Sequence, residues 1–395
     1  MDPTRNPFSP GAGSAPPALT GRDDVIRSAS IALERIKAGR AEKSQLLLGL
    51  RGVGKTVLLN HIGTLAESLG YQVVRLEAPE GRRLAELLAP ALKSVLLKIS
   101  RTEKAAKMAM RGLAALRGFA SAFKVSIGEV GIEITDAPAA DSGNLEVDLP
   151  ELFEAVGKAA GAAGGCIAIL LDEIQYLNET DFSALIVALH RVSQQNLPIV
   201  LFGAGLPQVA GLAGEAKSYA ERLFDFPEIG PLDADAARQA ITRPIEAEDA
   251  SIGEAAVDRI VGVTRGYAYF LQEWGKHAWN AASGPEVLEA DVEAAGRTAT
   301  QALDKSFFKV RFDRLTPAEQ RYLRAMASLG AGPHQSGDIA RALRRKVESL
   351  GPTRSKLIRK GMVWSPSHGE TAFTVPLFDE FMKRAMPEWP PATDS

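Results

Sequence analysis

Two short stretches carry the side chains with an evident chemical use. The first is Gln45 to Thr56, Q-L-L-L-G-L-R-G-V-G-K-T, where Gly49, Gly54, Lys55 and Thr56 fill every fixed place of the pattern G-x-x-x-x-G-K-S/T. Glycines let a backbone close around an anion, and the N-terminus of a following helix aims N–H groups at it. Gly49, Leu50, Arg51, Gly52, Val53, Gly54, Lys55 and Thr56 therefore read as a cradle for the phosphates of ATP. Lys55 would stand as a point charge between the β- and γ-phosphates, and the Thr56 hydroxyl would complete the coordination of Mg²⁺. The second stretch is Cys166 to Glu173, C-I-A-I-L-L-D-E, an apolar run ending in two adjacent carboxylates. Charges at the end of a buried strand must be solvated, paired or bound to metal. Asp172 and Glu173 are therefore candidate site residues beside a phosphate loop; the plainer alternative is a strand-end pair that caps the next helix.

These residues need a scaffold, and the flanking pattern supplies one. Gln45 to Leu48 is a short apolar run with no polar face, as in a buried parallel strand. Val57 to Leu69 carries Leu58, Ile62, Leu65 and Leu69 on one helical stripe. Tyr71 to Ala78, Cys166 to Glu173, Leu197 to Gly205 and Phe224 to Leu232 read as further strands, with an amphipathic helix from Asp181 to Gln195. Gly81 to Ile99 is helical, with a kink or break near Pro90. Between these lies an insertion at about 101–144. Arg101 to Arg117 forms a basic helix whose charge suits a solvated face at least as well as a phosphate-binding one, and Phe123 to Thr135 alternates around Gly128 and Gly131 as a hairpin.

At 395 residues the chain suggests two or three domains. A hydrophobic fraction of 46% with 24% charged residues is that of a soluble globular protein. The net charge of -2 gives no global attraction to nucleic acid or anionic membrane, so such affinity would need a local patch. Cys166 is the only cysteine, which excludes an intrachain disulfide and a cysteine-rich metal site and favours the cytoplasm. No apolar stretch approaches the ~20 residues that span a bilayer, so no membrane partner is expected.

Residues 1–18, rich in Pro, Gly and Ser, are expected to be a disordered leader. A core follows at 19–232, then a helical segment at 233–305 with Asp233 as a cap. A separate module occupies 306–386 and a tail 387–395. In that module Thr316, Pro317 and Glu319 form a capping box. Helices at Ser336 to Leu343 and Pro352 to Lys360 follow, then strands at Met362 to Trp364 and Thr371 to Val375 and a helix at Leu377 to Ala385. Three helices and a two-stranded wing make the winged-helix plan. Between Arg341 and Lys360 the basic residues, opposed only by Glu348, form a local positive patch. Arg354, Lys356 and Arg359 on its third helix are candidates to contact the phosphates of double-stranded DNA; a solvated or partner-binding face is the alternative.

In order and spacing, residues 19 to 386 resemble the origin-recognition-like AAA+ ATPases. Asp172 resembles the Walker B aspartate of that family, which implies that it holds Mg²⁺, and Glu173 resembles its catalytic glutamate, which implies that it polarises the attacking water. The resemblance implies an α/β core with a five-stranded parallel sheet in the order 5-1-4-3-2, a helical lid, a C-terminal winged-helix domain, and nucleotide at a subunit boundary. Leu19 to Asp24 resembles the box that packs beside adenine; Thr20 or Asp23 could equally cap the first helix. Arg222 sits where such proteins place an arginine finger, or is a surface arginine paired with an acid. The polar side chain that ends the fourth strand in this family is missing from Gly203-Ala204-Gly205, with Gln208 a substitute, and Arg265 alone stands near the lid helix that usually carries a phosphate-sensing arginine. Two functions remain: a DNA-associated ATPase, or a signalling NTPase switch acting on a protein partner or within a homo-oligomer, with the winged helix as docking or autoinhibitory surface.

Overall fold

A computed structural model describes residues 1–11, 13–99, 103–128 and 139–389. The chain divides into two compact units: residues 22–48 with 55–228, and residues 1–21 with 49–54 and 229–395.

The first unit is a sheet covered by helices. Its strands are β1 (Ser44–Leu48), β2 (Gln72–Glu77), β3 (Ile167–Asp172), β4 (Ile199–Gly205) and β5 (Phe224–Asp225). They lie all parallel in the order β2-β3-β4-β1-β5, the order the family resemblance implies, here written from its other edge. β1 and β4 are buried along their whole length, which accounts for their runs without a polar face. β5 is shorter than the pattern of Phe224 to Leu232 indicates. Pro227 has no N–H to give, and beyond Asp225 the pairing survives as a bond from the Leu48 N–H to the Pro227 carbonyl and a bridge from Leu48 to Glu228.

The helices of this unit are α1 (Asp23–Lys37), α2 (Lys55–Ser68), α3 (Leu84–Ile99), α4 (Glu103–Ala122), α5 (Leu145–Ala162), α6 (Glu179–Gln194), α7 (Val209–Ala216) and α8 (Ala220–Leu223). Pro90 lies inside α3 without ending it. Lys104, Lys107, Arg111 and Arg117 are all exposed, while Ala109, Leu113, Leu116 and Phe119 bury the other face of α4, so its charge covers a solvated face. α5 packs between α4 and α6 through Leu149, Leu152, Phe153 and Val156. Of the hairpin expected at Phe123 to Thr135, residues 123–128 contain no strand and 129–135 lie outside the described residues, as do Arg101 and the tail beyond 389. α1 begins at Asp23, and its N-cap residue is Arg22, whose side chain makes no capping bond.

The second unit begins with α9 (Ala234–Glu246), β6 (Ser251–Ile252), α10 (Glu254–Thr264), α11 (Ala268–Ala281), β7 (Glu286–Val287) and α12 (Glu289–Leu303). Asp233 caps α9 by accepting the Ala236 N–H at 2.8 Å. A π-helical turn, Asp304–Phe308, and α13 (Lys309–Phe312) lead into α14 (Pro317–Leu329), β8 (His334–Gln335), α15 (Ser336–Leu343), α16 (Gly351–Arg359), β9 (Val363–Trp364), β10 (Glu370–Phe373) and α17 (Phe378–Ala385). The capping box of α14 is formed, with the Thr316 N–H bonded to Glu319 Oε2 at 2.7 Å. β10 pairs antiparallel with both β9 and β8, and β8 adds a strand that its two-residue pattern could not announce.

Part of the leader, residues 1–8, packs against α11. Phe8 is 3% exposed and shares a core with Ile241, Ile260, Trp279 and Val292. Its ring fills the place where a side chain on Gly275 would stand, since a Cβ there would lie 2.6 Å from the Phe8 ring. The Trp279 indole donates to the Asp2 carbonyl at 2.9 Å, and Asn6 donates to the Lys276 carbonyl at 2.9 Å. Composition averages over a segment and so hides a single buried phenyl ring, which contributes about 1.5–3 kcal/mol by itself.

Candidate nucleotide-binding site

In a parallel sheet every strand delivers its C-terminal end to one edge. β4 separates β1 from β3, so the chain leaves those two strands about 10 Å apart on the same edge. Thr56, in the first turn of α2, donates its hydroxyl to Asp172 Oδ2 at 2.6 Å. The other oxygen, Oδ1, accepts the Glu173 N–H at 2.7 Å. Burial pushes the Asp172 carboxyl above its ordinary value, opposed by those two hydrogen bonds and by the charge of Lys55, and reinforced by Glu173. A hydroxyl and a half-buried carboxylate whose charge is penalised form the hard-oxygen donor set that suits Mg²⁺.

Glu173 turns the chain sharply at φ 54° and ψ 37°, the left-handed region that costs a non-glycine residue on the order of 1 kcal/mol. The 3-10 turn that follows, Ile174–Tyr176, places Gln175 beside it. The Gln175 amide nitrogen donates to Glu173 Oε2, while its Oε1 accepts the Leu206 N–H at 3.1 Å. Sequence reasoning missed this residue. Its one trace is an absence: a Cβ on Gly205 would stand 3.0 Å from Gln175 Oε1 and 2.7 Å from Ile174, so the end of β4 has no room for a side chain of its own. Gln208, read as the substitute, precedes α7 without capping it, and its Oε1 is buried with no hydrogen-bond partner.

The phosphate loop itself, residues 49–54, needs its glycines for two reasons. A Cβ on Gly49 would lie 2.1 Å from the Ile229 carbonyl oxygen, and Gly52 and Gly54 hold φ of +81° and +95°. The Gly52 carbonyl accepts the Tyr269 N–H at 3.0 Å, at the start of α11, and the Arg51 N–H donates to the Thr374 carbonyl at 3.0 Å. Thr20, from the box resembling an adenine site, gives its hydroxyl to the Ala236 carbonyl at 2.8 Å.

Arg222 is exposed on α8, directly before β5. Arg265 forms an ion pair with Glu380 at 2.9 Å. Of the three residues expected to meet DNA, Lys356 and Arg359 are exposed, whereas the Arg354 guanidinium is committed to the hairpin. It donates to Thr371 Oγ1, Ser365 Oγ and the Glu370 carbonyl, each at 2.8 Å. Lys360 is likewise engaged, with Glu319 at 2.7 Å.

The five-stranded parallel sheet with its covering helices has the P-loop AAA+ fold. Residues 18–202 match the family described as AAA ATPase domain, and residues 305–382 match a domain of unknown function (DUF8462). Among solved structures, the Walker-type ATPase of Pyrococcus abyssi is similar in fold, at 17% identity and a TM-score of 0.57 over 92% of this chain and 96% of that one. The Aeropyrum pernix Orc1 protein in complex with DNA is 17% identical, with a TM-score of 0.49 over 96% of each chain. The Thermotoga maritima RuvB Holliday junction branch migration motor is 16% identical, with a TM-score of 0.45 over 94% of this chain and 96% of that one. No curated protein matches the chain in sequence. Among the described residues no helix is long and apolar enough to cross a membrane.

The raised Asp172 carboxyl makes a prediction with a definite sign. A carboxylate whose folded value lies above its unfolded one disfavours the fold where it is ionised, so its penalty is present at neutral pH and disappears as pH falls below both values. Asp172→Asn should therefore melt at a higher temperature than the wild type at neutral pH in the absence of nucleotide and metal. The difference should close as pH falls toward about 4, the ordinary carboxylate range; a lower melting temperature for the variant at neutral pH would contradict the assigned cause.

Proposed function

We propose that the protein is a Mg²⁺-dependent ATP hydrolase whose nucleotide state controls its C-terminal module. The observation that carries this reading is the meeting of Thr56 Oγ1 and Asp172 Oδ2 at 2.6 Å, one oxygen from the end of the phosphate-loop motif and one from the strand that ends in a carboxylate. Mg²⁺ bound there by Thr56 and Asp172 would neutralise phosphate charge. Lys55 neutralises the β- and γ-phosphates, and the backbone of residues 49–56 cradles them. Glu173 is the base that orients and polarises water, and exposed Arg222 is the group offered to a neighbouring copy's nucleotide. Lys55→Ala should lose ATP affinity, because the loop's one lysine no longer faces the phosphates. Glu173→Gln should bind ATP as tightly as the wild type and lose turnover by at least about 10²-fold, read by calorimetry and phosphate release. Hydrolysis that survives in Glu173→Gln would remove the assigned base.

For the C-terminal module, the three helices with a three-stranded antiparallel sheet support the winged-helix reading, and the exposed basic side chains support contact with double-stranded DNA. We assign phosphate contacts to Lys356 and Arg359, with Arg354 fixing α16 to the hairpin that flanks it. Two contacts should give a slope of log affinity against log salt of roughly -2 for the full chain with ATP. Reversing both residues to Glu should flatten that slope without changing ATP turnover. If the full chain shows no salt-sensitive DNA binding with or without ATP, the patch is a solvated or protein-docking face, and the signalling-switch reading gains.

A further inference from the structure

We propose that Gln175 is the positioning residue of the hydrolytic site and replaces the missing side chain at the end of β4. Two groups have to be held for Glu173 to orient water: its carboxylate, and the turn that carries it. Gln175 holds both, giving its amide N–H to Glu173 Oε2 and taking the Leu206 N–H at 3.1 Å on its other side. Leu206 directly follows β4, so the amide ties the carboxylate to the neighbouring strand rather than to its own loop. Gly205 is what leaves space for it. Left-handed backbone at Glu173 makes such a tie necessary, because a strained turn persists only where its surroundings over-determine it. This role rests on the ATPase reading, and the test separates the two. Gln175→Met keeps length and loses both polar groups. Hydrogen bonds to charged groups contribute enough for about a tenfold effect on rate, so kcat should fall about tenfold while ATP affinity stays within about twofold. In the Glu173→Gln background the same change should have no further effect on single-turnover rate, because Gln175 acts only through that carboxylate. An equal loss in both backgrounds, an unchanged kcat, or a parallel loss of ATP affinity would overturn the assignment. A wild type that binds but never hydrolyses ATP would overturn the ATPase reading with it.

A separate set of contacts carries a second inference. From the hydrogen bonds around the phosphate loop we infer that the C-terminal module is a latch on that loop, engaged in this structure and opposing nucleotide release. Thr374 follows β10, has no exposed surface, and is fixed on both sides, its N–H to the Met362 carbonyl at 3.1 Å and its hydroxyl to the Gly361 carbonyl at 2.5 Å. Its own carbonyl takes the Arg51 N–H, so a rigid part of the module meets the loop backbone directly. Tyr269 grips the adjacent residue, Gly52, and its ring stacks on Phe307 in the π-helical turn at 4.7 Å. Phe307 and Phe308 continue edge to face at 5.3 Å, and Phe308 stacks on Phe381 of α17 at 5.2 Å. The pair of Arg265 with Glu380 closes the same arrangement from the surface. A ligand that draws the module off the loop would loosen nucleotide, and nucleotide in turn would bias the module, since such coupling is reciprocal. Glu380→Arg should speed release of a fluorescent ADP analogue by about threefold to tenfold, and the Arg51 amide should exchange faster with solvent deuterium. The swapped pair Arg265→Glu with Glu380→Arg should restore both. Unchanged release in Glu380→Arg, or a swap that restores neither readout, would overturn the latch; failure of the wild type to bind the analogue would overturn the nucleotide reading as well.

Discussion

A carboxylate at the end of a fully apolar strand is tolerable only when something offsets its charge, and Asp172 is where this protein meets that constraint. Its two oxygens are answered by a hydroxyl from α2 and by the next backbone N–H, yet burial still holds the acid above its ordinary value. The hydroxyl arrives because β1 and β3 share a parallel sheet with β4 between them, which sends both chain exits to one edge. Sheet order, helix placement and the run of leucines and isoleucines in β1 and β3 all serve that one convergence. A charged group in the same place without such partners would be a liability.

Close approach explains the neighbouring glycines better than flexibility does. Gly49 has the Ile229 carbonyl where a side chain would stand, and Gly205 has Ile174 and Gln175. Space withheld from one residue is taken by another. The polar group that a β4 side chain would present to the site is presented instead by Gln175, reached through a turn rather than along a strand. This relocation keeps the carboxylate of Glu173 restrained while the strand itself stays fully buried.

The C-terminal module shows how basic residues of similar sequence context divide their labour. Arg354 is planar and many-handed, and it spends its donors on the hairpin; Lys360 answers the buried Glu319. Lys356 and Arg359, on the same helix, are left at the surface. A charge count treats these residues as one patch, but the fold converts part of the patch into structure. The same module reaches the phosphate loop through a backbone carbonyl, a contact that side-chain chemistry alone could not encode.

The phosphate loop, the strand ending in Asp172 and Glu173, the cap at Asp233 and the capping box at Thr316 were legible because each is a local rule: fixed spacings, an unbroken apolar run, a short polar side chain one turn before a donor. Sheet order came only from family resemblance, since periodicity says which residues are buried and not which strand lies beside which. The sequence could not indicate that Phe8 anchors the leader, because its value depends on an empty place at Gly275 far along the chain. Gln175 likewise acquires meaning only from Leu206 and Glu173, and Arg51 only from Thr374. Local chemistry sets what each segment can do on its own. Long-range packing decides which carbonyl, ring or amide stands opposite it, because that depends on distances between residues that no spacing along the chain records.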